Sequence, residues 1–164
     1  MSSDRAGYSG RGNLLVGDTT MTLTLFKSST RHSPFSKILD VKKNVYITES
    51  YMNISGPSIA AACRQSVKFP SSMIVLTDSL SHEVETLSVK LGGSANGHNG
   101  VKSIISALGG EMGFYRFRLG IGRDESDAAT YVMRQLSSHE RRYWTDEGLD
   151  LILKEIERVA LKAG

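Results

Sequence analysis

The sequence predicts an α/β fold built on a mixed, largely parallel sheet. Two observations carry that prediction. Segments of strand character at residues 73–77, 86–91 and 115–121 interleave with segments of helical period. Strands that alternate with helices form sheets with parallel pairs. The run 73–77 (Met-Ile-Val-Leu-Thr) is almost unbroken in apolar character, as in a strand covered on both faces. A chain of 164 residues suits one domain with an ordinary core. We expect a loose segment over residues 1–13, rich in Gly, Ser and charge, and a folded domain over 14–164.

In chain order, residues 13–27 carry Leu23, Leu25 and Phe26 among threonines, a pattern that fits either a strand or a poor helix. Residues 37–48 read as a hairpin, with Ile38, Leu39 and Val41 before Lys42-Lys43-Asn44 and Val45 and Ile47 after it. Pro57 suits a first helical turn, and the helix should run to about Val67, with Ile59, Ala62, Cys63 and Ser66 on one face before Phe69-Pro70 ends it. Leu87, Val89 and Leu91 alternate as one strand face. Val101, Ile104, Ile105 and Leu108 form one apolar helix stripe, which Gly109-Gly110 should stop. Tyr115, Phe117, Leu119 and Ile121 alternate with Arg116 and Arg118 opposite. Ser126 is placed to cap a helix through Leu136. A last helix from about Ser138 carries Leu149, Ile152, Leu153, Ile156 and Ala160 on one side, with Asp150 and Lys154 as a solvent-side pair.

Composition narrows the function class. A hydrophobic fraction of 40% and a charged fraction of 23% are those of a globular protein. No apolar run approaches the roughly 20 residues of a membrane span, so no membrane partner is expected. A single cysteine, Cys63, rules out an internal disulfide or a cysteine metal cluster; it reads as a small buried hydrophobe. The first residues lack an apolar signal-peptide core. A cytoplasmic location is expected, with a mitochondrial one as the alternative. The net charge of +3 is compatible with a nucleic-acid partner without indicating one.

The most specific stretch is residues 92–100, Gly-Gly-Ser-Ala-Asn-Gly-His-Asn-Gly. Its glycines permit positive φ and close approach to a ligand. Asn99 is a good N-cap for the helix behind it, and that helix start suits an anion. Three further polar segments accompany it: Tyr51-Met52-Asn53-Ile54-Ser55-Gly56, Asp78 behind the apolar strand, and Phe117-Arg118-Leu119-Gly120-Ile121-Gly122-Arg123.

In this order, the four segments resemble the bacterial-type peptidyl-tRNA hydrolase family. That family shows Phe/Tyr-Met-Asn-x-Ser-Gly, an Asp after an apolar strand, Leu-Gly-Gly-x-x-x-Gly-His-Asn-Gly and Arg-x-Gly-Ile-Gly-Arg. The separations from Asn53 to Asp78 and from Asp78 to Asn99 fit it without gaps, and the resemblance covers about residues 36–160. It implies a single-domain, three-layer α/β/α fold. It also implies a monomeric enzyme that hydrolyses the ester between a peptide and the 3′ ribose of a tRNA without metal or organic cofactor.

The resemblance assigns roles residue by residue. Asp78 matches the aspartate that orients the catalytic histidine and favours its protonated form. Asn53 and Asn99 match the asparagines that hold peptide backbone, water or the tRNA acceptor end. Tyr51 matches the aromatic beside that end. Lys90 and Arg118 match basic positions of the tRNA-binding face, and Lys102 and Arg123 are further candidates for phosphate. The chemistry agrees: ester hydrolysis needs a positioned base and donors for the developing oxyanion. Amides donate and accept without changing charge, so they read a peptide backbone whatever its side chains. His98 reads as a loop-stabilising residue, and His82 and His139 as surface residues.

The amino-terminal third departs from the family pattern, as in a degenerate or truncated member. No Gly-Asn-Pro-Gly is present, although Leu14-Leu15-Val16-Gly17 is a candidate remnant of the first strand. Thr30-Arg31-His32-Ser33 matches the motif that carries the base, which makes His32 the candidate. The stretch between His32 and Tyr51 is too short for the family's intervening long helix. In a second alignment Arg31 to Phe35 leads into the strand at Lys37, Arg11-Gly12-Asn13 stands where Arg-His-Asn belongs, and the base is absent. Two classes follow: an active hydrolase, or a relative that binds tRNA or RNA without cleaving it.

Overall fold

The computed structural model describes residues 8–16, 19–27, 52–67 and 69–163. Two strands, β1 (Tyr8–Val16) and β2 (Thr19–Lys27), pair antiparallel with Tyr8 opposite Lys27 and Val16 opposite Thr19. This settles the ambiguity in favour of strand for residues 13–16 and 19–27. Residues 8–13, expected to be loose, belong to β1. The register runs unbroken across Gly10 and Gly12, so the backbone ladder carries the pairing. The hairpin expected over 37–48 lies outside the described residues.

Contacts divide the chain into two compact units, one formed by residues up to Pro70 with Gly93–Gly113, the other by Ser71–Gly92 with Phe114–Gly164. In the first, a 3-10 turn (Met52–Ile54) precedes α1 (Gly56–Ser66), with Pro57 in the first turn as expected. Ala60 and Cys63 supply the buried side of α1, and burial pushes the Cys63 thiol pKa up, as for an inert core thiol. α2 (Asn99–Ala107) packs against α1 and buries Val101 and Ile104. Its end is a Schellman motif: Gly110 N–H donates to Ile105 O at 2.9 Å and Gly109 N–H to Ser106 O at 3.1 Å. Gly109, directly behind the cap residue Leu108, adopts at φ 73° the left-handed backbone this motif requires.

The second unit holds a three-stranded sheet in the order β3-β5-β4, from β3 (Ile74–Ser79), β4 (Leu87–Leu91) and β5 (Tyr115–Gly120). β3 pairs parallel and β4 antiparallel to β5, so the sheet is mixed and the class is α/β. Phe117 and Leu119 of the central strand are buried, with Ile121 just beyond. Leu91 departs from the expected apolar face: it ends the edge strand β4 and is exposed.

The helices after β5 are shorter than the periodicity predicts. α3 spans only Ala128–Val132, and its cap is Asp127, whose carboxylate accepts from Thr130 N–H at 3.1 Å. Ser126 does not cap it, because its N–H and hydroxyl are both turned to Asp124. The single helix expected from Ser138 breaks at Asp146 into α4 (Ser138–Thr145) and α5 (Glu147–Ala163). α4 opens with a complete capping box between Ser137 and Glu140. α5 buries Ile152, Ile156 and Val159; each such side chain contributes about 2 kcal/mol. Asp150 and Lys154 are exposed, as expected. Among the described residues, no helix is long and apolar enough to cross a membrane.

Candidate functional site

The glycine-rich loop takes the conformation its composition demands. Gly92, Gly93 and Gly97 have φ of 70°, 86° and 84°, and Asn96 shares the left-handed region at 48°. The loop's first residue is anchored from both sides: Gly92 N–H donates to Phe114 O at 3.0 Å, and Arg116 Nη2 donates to Gly92 O at 2.7 Å. Arg116 is only 3% exposed, so this alternating-face arginine is a buried loop anchor. Burial, then the neighbouring Arg118 charge, lowers its pKa.

The far end of the loop corrects the expected cap. His98, not Asn99, is the N-cap of α2: its backbone is extended and its Nδ1 accepts from Val101 N–H at 3.2 Å. The acceptor nitrogen must be unprotonated to do this. His98 therefore has the loop-stabilising role read from the sequence. Asn99 becomes the first helical residue and is exposed, with its amide at the surface.

That placement brings two predicted site residues together. Asn53, at the centre of the 3-10 turn, and Asn99 line one solvent-facing pocket of about 540 Å³ with Pro57, Lys102, Ser103, Ser106 and Ala107. From Asn99, the residues Lys102, Ser103 and Ser106 fall three, four and seven positions on, one polar stripe of α2. It lies opposite the buried Val101 and Ile104. Lys102 supplies a cationic group and the asparagines supply amides that both donate and accept. The pocket thus suits a polar, anionic group joined to a peptide-like one. Ser103 and Ser106 were missed by motif reading, although their helical spacing from Asn99 was legible.

The remaining described candidates lie in the second unit. Asp78 sits opposite Leu119, which also faces Leu87, so all three share one face of the sheet. Arg118 sits between Thr77 and Ser88 on the other face, with Arg116 and Lys90 opposite each other one pleat away. The carboxylate and the cations therefore point from opposite faces. Lys90 is exposed. Arg118 is half-buried, its Nη2 donating to Ser88 Oγ at 2.7 Å, while its buried Nε has no hydrogen-bond partner among the described residues.

His82 also differs from the surface residue expected. It is half-buried after β3, with Nδ1 2.7 Å from Ser79 Oγ and its carbonyl accepting from Gly122 N–H. Burial, then the Arg118 charge, lowers its pKa, favouring the neutral imidazole. His139 is exposed as expected, its Nε2 lying 2.7 Å from Glu85 Oε1. His32 and Tyr51 lie outside the described residues.

A protein-family model described as peptidyl-tRNA hydrolase matches residues 17–163. The chain is 40% identical over 108 residues to a peptidyl-tRNA hydrolase of Rhodococcus jostii, covering 65% of this chain and 54% of that one. It is 35% identical over 122 residues to a peptidyl-tRNA hydrolase of Syntrophotalea carbinolica, covering 73% of this chain and 62% of that one. The chain thus matches little more than half the length of these curated relatives. The crystal structure of peptidyl-tRNA hydrolase from Acinetobacter baumannii has the same fold, with a TM-score of 0.72 at 23% identity, covering 99% of this chain and 70% of that one.

Proposed function

Because the chain belongs to the peptidyl-tRNA hydrolase family, we propose that it hydrolyses the ester bond between a peptide and the 3′ ribose of a tRNA, recycling the tRNA. The observation that carries this reading is the shared pocket of Asn53 and Asn99, with Lys102 beside them.

In this reading the pocket takes the acceptor end. The two amides hold peptide backbone and the attacking water, and their N–H groups stabilise the developing oxyanion. His32 is the base that removes a proton from that water, and Asp78 orients it and favours the imidazolium that forms. The motif Thr30-Arg31-His32-Ser33 supports His32 in this role. Tyr51 stands beside the terminal nucleoside. Lys90 and Arg118, on a common sheet face, contact tRNA phosphates. The chain works as a monomer in the cytoplasm.

The test is peptide release from N-acetyl-aminoacyl-tRNA by the purified chain, compared with His32→Ala. The wild type is expected to release peptide. H32A is expected to lose at least about a hundredfold in kcat, the usual contribution of a general base, while still binding tRNA. Equal turnover by both proteins removes His32 from the mechanism. Binding without release by the wild type supports instead a relative that holds RNA without cleaving it.

A further inference from the structure

The pocket is composite: Asn53 comes from the 3-10 turn and Asn99 from the first turn of α2. One hydrogen bond joins the two segments beside it, from Gly56 N–H to Ser103 Oγ at 3.0 Å. We propose that Ser103 is a positioning residue of this site, setting where Asn53 stands relative to Asn99 by accepting from Gly56. The inference rests on the hydrolase reading and adds to it a residue on which that reading does not draw.

Three observations converge on Ser103. Gly56 N–H is one of the donors at the start of α1 that find no acceptor within the helix, and the cap residue Ser55 makes no side-chain capping bond. The hydroxyl of Ser103 therefore supplies, from a different helix, an acceptor that α1 lacks locally. Second, the two backbones meet at this point: a Cβ at position 56 would fall 2.0 Å from Ser103 O. Close approach sets the separation of the segments, and the hydrogen bond sets their orientation. Third, the lever is short. Only Ile54 and the buried Ser55 separate Asn53 from Gly56, so the bond to Ser103 fixes the chain three residues from the Asn53 amide.

The same helix pair carries an internal control. Arg64 Nη2 donates to Ala107 O at 3.1 Å, a second link between α1 and α2. It lies at the other end of α1 from Asn53. Loss of Arg64 loosens the same pair without releasing the segment that carries the asparagine.

The experiment uses the full chain and the variants S103A, S103T and R64A. Steady-state release from N-acetyl-aminoacyl-tRNA gives kcat and KM. Affinity for a non-cleavable, amide-linked N-acetyl-aminoacyl-adenosine gives the coupling between Asn53→Ala and Asn99→Ala, measured with Ser103 present and in the S103A background. S103A is expected to lower kcat about tenfold to a hundredfold, the effect of misplacing a binding group by about an ångström, and to abolish the coupling. S103T, which keeps the hydroxyl, should restore activity to within a few-fold. R64A should leave kcat unchanged at a comparable loss of melting temperature.

Wild-type kcat in S103A, an R64A effect equal to that of S103A, or coupling that survives in S103A overturns the role of Ser103 alone. A wild-type chain that binds the adenosine probe and never cleaves tRNA overturns the hydrolase reading alone, and the coupling then decides on Ser103. A wild-type chain that does not bind the probe overturns both.

Discussion

Arg134 and Glu140 meet at 2.6 Å, Nη2 to Oε1, with a second contact of 3.0 Å from Nη1 to Oε2. The bidentate pair joins α3's exit to α4's first turn. The arginine also reaches Ile121 O at 3.2 Å and lies over the Tyr131 ring, and the Tyr131 hydroxyl donates to the same carbonyl at 2.7 Å. Glu140 in addition accepts from Ser137 N–H at 2.8 Å. One buried carboxylate thus holds a helix cap and, through Arg134, the chain leaving β5.

Acid should release this junction. The hydrogen bond from Arg134 first, helped by the Ser137 donors, holds the Glu140 pKa down to about 2, from an ordinary 4.5. The folded pKa lies below the unfolded one, so the stabilisation is complete above about pH 4.5 and is lost as pH falls toward 2. It amounts to on the order of 3 kcal/mol. Glu140→Gln should lower the melting temperature at pH 7 and flatten the melting-temperature profile between pH 5 and 2. A profile as steep as the wild type's would place the acid sensitivity elsewhere.

Adjacent residues at the start of α2 should separate stability from function. His98→Ala removes the cap and is expected to cost about 1 kcal/mol in urea unfolding, whereas His98→Asn should retain most of it. Asn99→Ala, at an exposed first-turn position, should change stability by no more than about 0.5 kcal/mol yet reduce peptide release severely. Full activity in N99A would exclude its amide from the site.

Gly120→Ala should unfold the second unit. A Cβ at this position would lie 1.8 Å from Glu83 O, with Thr86 Oγ1 at 2.5 Å. Gly120 N–H also donates to Thr86 O at 2.8 Å, so the loop before β4 is bonded where it would have to retreat. A cost of about 3 kcal/mol or more is expected, read as a large fall in thermal midpoint. A wild-type midpoint would show that the 83–86 loop yields cheaply.

The basic sheet face should appear in salt dependence. Lys90→Ala removes an exposed cation and is expected to leave stability unchanged while reducing the slope of log affinity for tRNA against log salt by about 1. Arg118→Ala should do the same and also leave Ser88 Oγ without its donor, adding a loss of stability. Slopes equal to the wild type's in both variants would dismiss phosphate contact at this face.

Much of this was legible in the residues. The stripe of Val101, Ile104, Ile105 and Leu108, with Gly109-Gly110 behind it, marked α2 and its end, because period and left-handed glycine are local properties. The alternation from Tyr115 marked β5 in the same way. Caps were read less well. His98 and Asp127 won over Asn99 and Ser126 because the cap depends on where the backbone leaves extended geometry, and several polar neighbours compete for it. The break at Asp146 was invisible because apolar period continues across it. Arg116 was unreadable as an anchor: an arginine opposite an apolar strand face looks exposed until its partner, Gly92 O, is found in a different segment.

The sequence by itself determined the α/β class and the glycine-rich loop, and it named Asn53, Asp78 and Asn99 as candidates, because periodicity, glycine placement and motif spacing are written along the chain. Only the tertiary structure decided that Asn53 and Asn99 share a pocket, that Ser103 bonds the start of α1, and that Asp78 and Arg118 leave opposite faces of the sheet. Those facts depend on helix packing and strand register. Both are set by long-range burial and hydrogen bonding between segments, which no local pattern specifies.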